Sequence, residues 1–229
     1  MVRLASSARP SRLRDVSSLR FNSTLASAAY TAPTSQDVST SKTAEELNPI
    51  DRRRLESMLR VDHAGEVAAN TIYAAQARVF SSIMGDAKTA KMCEEMWETE
   101  KKHLAVAKRL LDQHRTRPSF LMPVWGAAGS VLGSATALLG KEAAMACTEA
   151  VETVIGEHYD DQLQHLSRME EAHPSLKLLS RVIVEFRDDE LEHLDTAVEH
   201  DAQQAPAHAL LSAIIGFGCK GAIQIAKRL

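Results

Sequence analysis

Glu100-Lys101-Lys102-His103 and Glu190-Leu191-Glu192-His193 repeat one phrase, a carboxylate followed three residues later by an imidazole. Residues three apart share a face of an α-helix, so each pair points both groups the same way. Each phrase also has a glutamate upstream at a similar distance: Glu66 lies 34 residues before Glu100, and Glu152 lies 38 before Glu190. A single Glu-x-x-His is ordinary on a solvated helix surface. Two copies, each with its upstream glutamate, call for another explanation. Folded together, they bring four carboxylates and two imidazoles to one point. The charges of four glutamates are balanced by two divalent cations, with the histidines bound as neutral ligands. Without a cation, those carboxylates would repel one another in a dry interior and take up protons. Oxygen and imidazole donors suit iron or manganese, whereas a structural zinc site favours thiolates. The expected site is therefore a di-metal centre held by Glu66, Glu100, His103, Glu152, Glu190 and His193.

Four helices must carry these ligands. Asn48-Pro49 starts the first, with Asn as cap and Pro at the first helical position. Leu55, Met58, Leu59, Ile72 and Val79 supply its apolar face, with Glu66 near the middle. A turn at Gly85-Asp86 leads to the second helix. There Met92, Cys93, Met96, Glu100, His103, Leu104, Ala107 and Leu110 recur at helical spacing. Glu100 and His103 thus face inward among hydrophobes, where a polar pair needs a partner. The third helix is expected over about 141–166 and carries Glu152. The fourth begins near Pro174 and runs through Leu178, Leu179, Val182, Ile183 and Phe186 to Glu190 and His193. No strand-like alternation and no Gly-rich nucleotide loop occur. The fold class is all-α, a four-helix bundle with an internal duplication, and its ligand set is that of ferritin-like di-iron and di-manganese carboxylate proteins.

Residues 1–36 stand apart. They hold five arginines, eight serines and one acid, Asp15, with no continuous apolar core. That composition is a mitochondrial transit peptide's rather than a secretory signal's. Residues 37–47 read as a polar linker, and 48–229 as the metal-binding domain. Without residues 1–36, the 27 basic residues fall to 22 and the 30 acids to 29, leaving a net charge of −7. No basic stripe remains to meet phosphates, which excludes nucleic acid as the main partner. Cys93, Cys147 and Cys219 are far apart and read as small buried residues rather than a disulfide or zinc framework.

Two stretches carry no charge. Residues 119–140 mix Phe120, Leu121, Met122, Trp125, Val131, Leu132, Leu138 and Leu139 with Pro123 and four glycines. Glycines, serines and a proline make a poor bilayer-spanning helix, so a segment lying in the membrane interface fits better. Residues 202–219 are the second, with Leu210, Leu211, Ile214, Ile215 and Phe217. Lying together, the two would form one exposed apolar patch of the kind that meets a membrane or a partner.

Val61-Asp62-His63-Ala64-Gly65-Glu66, Ala146-Cys147-Thr148-Glu149-Ala150-Val151-Glu152 and Phe186-Arg187-Asp188-Asp189-Glu190-Leu191-Glu192-His193 resemble the mitochondrial demethoxyubiquinone hydroxylases of ubiquinone biosynthesis. The resemblance covers about 48–229, and every ligand position of the family pattern is filled. It implies a ferritin-like di-iron monooxygenase lying on the matrix face of the inner mitochondrial membrane. It also implies that O2 is used to hydroxylate the ring of a polyprenyl methoxy-benzoquinol. Carried over by position, Glu66 and His103 would serve one iron, Glu152 and His193 the other, and Glu100 and Glu190 would bridge. A lipid-binding partner protein of the same pathway is implied too. The chain has no reductase or nicotinamide motif, so electrons must come from outside, with NADH acting through the quinone as one candidate. A quinol oxidase of the alternative-oxidase type would share ligands and compartment, and a ferritin-like iron-binding protein would share the ligands alone.

Weaker expectations attach to other residues. Tyr159, two turns after Glu152, shares its face and could hydrogen-bond a ligand; His158 lies farther around the helix. Asp62 and Asp189 are candidates to accept the second nitrogen of a ligating histidine. His63, His114, His165, His173, His200 and His208 lack the paired spacing and read as solvated or capping residues. Trp97 is expected in the core and Trp125 at the membrane interface.

Overall fold

The structure, a computed structural model, describes residues 25–31 and 37–229. Two short helices, α1 (Ala28–Thr31) and α2 (Val38–Ser41), precede the bundle. The bundle is built from α3 (Pro49–Val79), α4 (Ala87–Gln113), α6 (Lys141–Leu166) and α7 (Pro174–Glu199). At 1.5 Å per residue these helices are about 39–46 Å long. Two more, α5 (Met122–Leu138) and α8 (His208–Ala226), pack outside. No strand occurs among the described residues.

Helix ends follow local chemistry. The Asn48 side chain accepts from the amides of Ile50 and Asp51, with Pro49 as the first helical residue. A π-turn at Phe80–Met84 closes α3, and Gly85 turns the chain at φ +68°. Asp86 then caps α4 through the Thr89 amide. His173 caps α7 by accepting from the Ser175 amide, as expected of a capping histidine. His63 departs from expectation: it is buried, because α3 turns it into the bundle rather than toward water, whereas His114 stands at the C-cap of α4, where it is buried.

α3 pairs with α4 and α6 with α7, so the bundle is two helical hairpins joined through α5. On α4, Cys93, Met96, Glu100, His103, Ala107 and Leu110 are buried at alternating steps of three and four. Met92 and Leu104 fall on the flank and are half-buried, while Val106 fills the core instead. Two apolar layers result. Leu55, Leu110, Leu166, Leu179 and Phe186 pack at one end; Tyr73, Phe80, Met96, Met145 and Ala197 pack at the other. Truncating one of these large side chains to Ala would cost about 2–5 kcal/mol. The Glu and His ligand candidates lie between the layers, held on rigid mid-helix backbone.

The apolar stretch 119–140 forms α5, which lies tightly on α3. A Cβ on Gly133 would overlap the Ile72 carbonyl, and one on Gly129 would overlap that of Ala68, so only glycine permits this approach. α8 packs on α6, and its end meets the start of α5 where the Phe120 amide donates to the Leu229 carbonyl at 2.8 Å. α8 is long and apolar enough to cross a membrane by length and composition, and most of it is exposed. Phe120, Val131, Leu139, Leu210, Ile214 and Phe217 all stand out from the surface. The two stretches lie on one side of the bundle. They flank a cavity.

Of the stretch assigned to targeting, residues 1–24 and 32–36 lie outside the described residues. Residues 25–31 are packed on the bundle, with Tyr30 2% exposed. The segment read as a linker also packs: Thr43 bonds His114 and the Ala44 carbonyl accepts from Arg52.

Candidate metal centre

Glu66 comes from α3, Glu100 and His103 from α4, Glu152 from α6, and Glu190 and His193 from α7. All six are at most 5% exposed. Their ligand atoms fall into two sets, Glu66, Glu100, His103, Glu190 and Glu100, Glu152, Glu190, His193, with the atoms of each within 4.8 Å of one another. Glu100 and Glu190 belong to both sets. A metal ion in each set would share Glu100 and Glu190 with the other and would add one further Glu and one His.

Both imidazoles aim Nδ1 inward. His103 Nδ1 stands 3.1 Å from Glu190 Oε1. His193 Nδ1 is 3.0 Å from Glu190 Oε2 and 3.1 Å from Glu100 Oε1. Burial pushes Glu66, Glu100 and Glu152 up, and neighbouring carboxylates push them further. Burial opposes the charge on Glu190 as well, but hydrogen bonds from both histidines outweigh it and hold that carboxyl at about 2. At His193, hydrogen bonds with Glu100 and Glu190 overcome desolvation and raise it to about 11, and at His103 those with Asp189 and Glu190 also outweigh burial and raise it. Glu66 Oε2, Glu152 Oε2 and Glu100 Oε2 are buried with no hydrogen-bond partner. Unpaired buried carboxylate oxygens converging on one point are what a cation would satisfy, so the residues fit a di-metal centre.

The surrounding groups orient the ligands. Tyr159 donates to Glu66 Oε1 at 2.8 Å, as its position predicted. Asp189 Oδ2 meets His103 Nε2 at 3.1 Å, the place expected for a carboxylate that would orient this imidazole. Asp62 takes a different place. Its oxygens accept from His158 Nε2 at 2.8 Å and Gln162 Nε2 at 2.9 Å, because it faces α6 rather than either ligand imidazole. Phe186 stacks on the His103 ring at 4.0 Å. Sequence reasoning missed Tyr73, which donates to Glu152 Oε1 at 2.5 Å. The duplication could have found it: Tyr73 follows Glu66 by seven residues, as Tyr159 follows Glu152.

Two cavities reach this centre. One, of about 410 Å³, is almost wholly apolar and opens between α5 and α8. Trp125, Leu132, Ile214 and Ile223 line its walls, and Glu66, Asp62, His158 and Tyr159 lie on its inner side. Trp125 is half-buried there, with its indole N–H donating to Ser119. The other, of about 590 Å³, is the more polar of the two and lies over His103, His193, Asp189 and Lys102. Trp97 is only half-buried, its N–H on Asn70.

Residues 53–226 match the family model of ubiquinone biosynthesis protein COQ7. The chain belongs to this family. The mitochondrial NADPH-dependent 3-demethoxyubiquinone 3-hydroxylase of Mus musculus is 47% identical over 182 residues, 80% of this chain and 81% of that protein. The mitochondrial 5-demethoxyubiquinone hydroxylase of Saccharomyces cerevisiae is 39% identical over 184 residues, covering 76% and 78%. A 3-demethoxyubiquinol 3-hydroxylase of Rhodospirillum rubrum is 40% identical over 191 residues, covering 82% and 86%. With this family, the bundle is a ferritin-like one.

Proposed function

We propose that this chain is a mitochondrial demethoxyubiquinone hydroxylase whose Glu66, Glu100, His103, Glu152, Glu190 and His193 hold two iron ions. The two overlapping ligand sets, with unpaired buried oxygens between them, carry this reading. When bound, the irons would supply the activation of O2 for insertion of one oxygen atom into the quinol ring.

The protein's own groups do the rest. The apolar cavity suits a benzoquinol head followed by a prenyl tail, and its mouth between α5 and α8 suits a substrate that never leaves the lipid. Tyr159 reaches both that cavity and Glu66, so it fixes the carboxylate at the substrate side. His158, held by Asp62, is placed to hydrogen-bond a quinol hydroxyl and to take or return its proton. Helical backbone keeps the centre rigid, and the apolar layers on either side exclude water.

The exposed hydrophobes of α5 and α8 would seat the enzyme on the matrix face of the inner membrane, and the same face suits the pathway's lipid-binding partner. Electrons would come from a nicotinamide nucleotide through the quinol. The mouse relative's name specifies NADPH where the sequence reading proposed NADH. The test is metal analysis joined to turnover in detergent or nanodiscs. Two irons per chain with ring hydroxylation of a short-chain methoxy-benzoquinol support the reading; a folded, substrate-inert chain holding one zinc refutes it.

A further inference from the structure

The more polar cavity over His103 and His193 is bordered on one side by residues upstream of the bundle. Leu25, Ser27, Ala28 and Thr31 form part of its wall, facing Lys102 and Asp189. The segment is fastened at both ends. The Ser27 amide donates to Glu185 Oε2 at 3.0 Å, and its hydroxyl to the other oxygen of that carboxylate. Tyr30 inserts into the apolar layer that holds Leu110 and Phe186, and its hydroxyl donates to Gln113 Oε1 at 2.7 Å. Gln113 in turn donates to the carbonyls of Ser39 and Lys42, so one buried amide ties α1 and the α2 segment to α4. Removing Tyr30 would leave a ring-sized hole in the core and an unpaired buried carbonyl on Gln113.

The composition of the leader agrees. All five of its arginines lie at or before residue 20, and residues 25–36 carry no charge. The basic, targeting-competent part therefore ends before the packed part begins.

We propose that the processing cut, hydrolysis of one peptide bond, falls upstream of Leu25. The mature chain then keeps residues 25–31 as a strap that closes the polar mouth of the metal centre. This rests on the mitochondrial targeting reading. The strap lies on the side away from the apolar cavity, so it slows loss of metal without obstructing a lipid substrate. Metal loading then proceeds with the strap displaced, and its docking seals the loaded site.

The test has two parts. The full-length chain is imported into isolated mitochondria, and the protease-protected product is sequenced from its N-terminus by mass spectrometry. A start at or before Leu25 is expected. A start beyond Thr31 overturns the proposal, whereas a lack of uptake overturns the targeting reading beneath it, and the two results are distinct. Second, ferrous-loaded chains starting at Thr24 and at Asp37 are compared for iron release to a colorimetric chelator. The shorter chain should release iron about tenfold faster or more, the scale of one lost buried hydrogen bond with its packing. Equal rates at equal helical content overturn the strap. Tyr30→Phe in the longer chain keeps the ring and loses the Gln113 bond; it carries the same comparison if the shorter chain does not fold.

Discussion

The α3–α4 hairpin and the α6–α7 hairpin bring the same three ligand types to the centre but surround them differently. Glu66 and Glu152 each have a tyrosine seven residues on, and each tyrosine crosses to the other hairpin's glutamate. Gln76 and Gln162, three residues further, are both buried. Beyond this shared frame the halves diverge. Asp62 stands where the second hairpin has Thr148, and His158 where the first has Ile72. Asp189 precedes Glu190, whereas Thr99 precedes Glu100. The additions are not scattered: Asp62 and His158 meet at the apolar cavity, and Asp189 meets His103 at the polar one. Duplication accounts for a symmetric cluster of Glu and His side chains, and divergence accounts for its two unlike faces.

The largest effect is expected at a position that both halves share. Glu190→Ala removes an oxygen pair from both metal positions, so product formation should fall below detection and metal content below one ion per chain. Helical content by circular dichroism should be nearly unchanged, because the ligand helices are held by apolar layers above and below. Full metal content in this variant would contradict the bridging role. Glu66→Ala touches one set only, so it should retain more metal than Glu190→Ala; the reverse ranking would undo the assignment of bridges and ends.

The tyrosines sharpen the comparison next. Each loses a buried bond to a carboxylate when changed to Phe, worth about 1.5–3 kcal/mol. Tyr159 also borders the apolar cavity, and Tyr73 does not. Tyr159→Phe should therefore lower turnover about tenfold or more, while Tyr73→Phe should mainly quicken metal loss, with KM unchanged. Equal effects on KM would place both on the substrate side. Asp62→Asn, which weakens the hold on His158, should lower kcat/KM by about 10–100-fold, the range for groups supporting a reactive shell.

The smallest effect lies outside both faces. Burial holds His114 at about 4, and Thr43 meets its Nδ1. A base depressed in the folded state favours folding above its unfolded value near 6.5, and that contribution drains away as pH falls towards 4. The loss between pH 7 and 5 should be about 2 kcal/mol, read from urea midpoints. His114→Gln should flatten that dependence.

The all-α class, the helix starts at Asn48 and Pro174 and the convergence of the six ligand candidates were all legible in the chain, because spacing on a helix fixes direction. Tyr73 is equally legible through its offset from Glu66, because the duplication that pairs the ligands pairs their neighbours as well. Other features were not readable. Asp62 lies one turn from Glu66, and that spacing says nothing of α6, which supplies its partners. The burial of His63 and His114 depends on how the hairpins face one another. The seating of Tyr30 depends on a hole left by four distant helices, and a basic, serine-rich stretch conceals such a residue. The cavity between α5 and α8 likewise belongs to tertiary packing: two uncharged stretches announce apolar surface, and only the glycine contacts with α3 set where it opens.

This duplicated bundle is expected to insert one atom of dioxygen into a quinol ring. The most direct measurement gives the ferrous-loaded protein, in nanodiscs, a short-chain methoxy-benzoquinol, a nicotinamide reductant and isotopically labelled O2, and weighs the product. One labelled oxygen atom on the ring, absent in Glu190→Ala, is the result predicted. Oxygen uptake that yields only the unhydroxylated quinone and water would contradict it, and would make the chain a quinol oxidase.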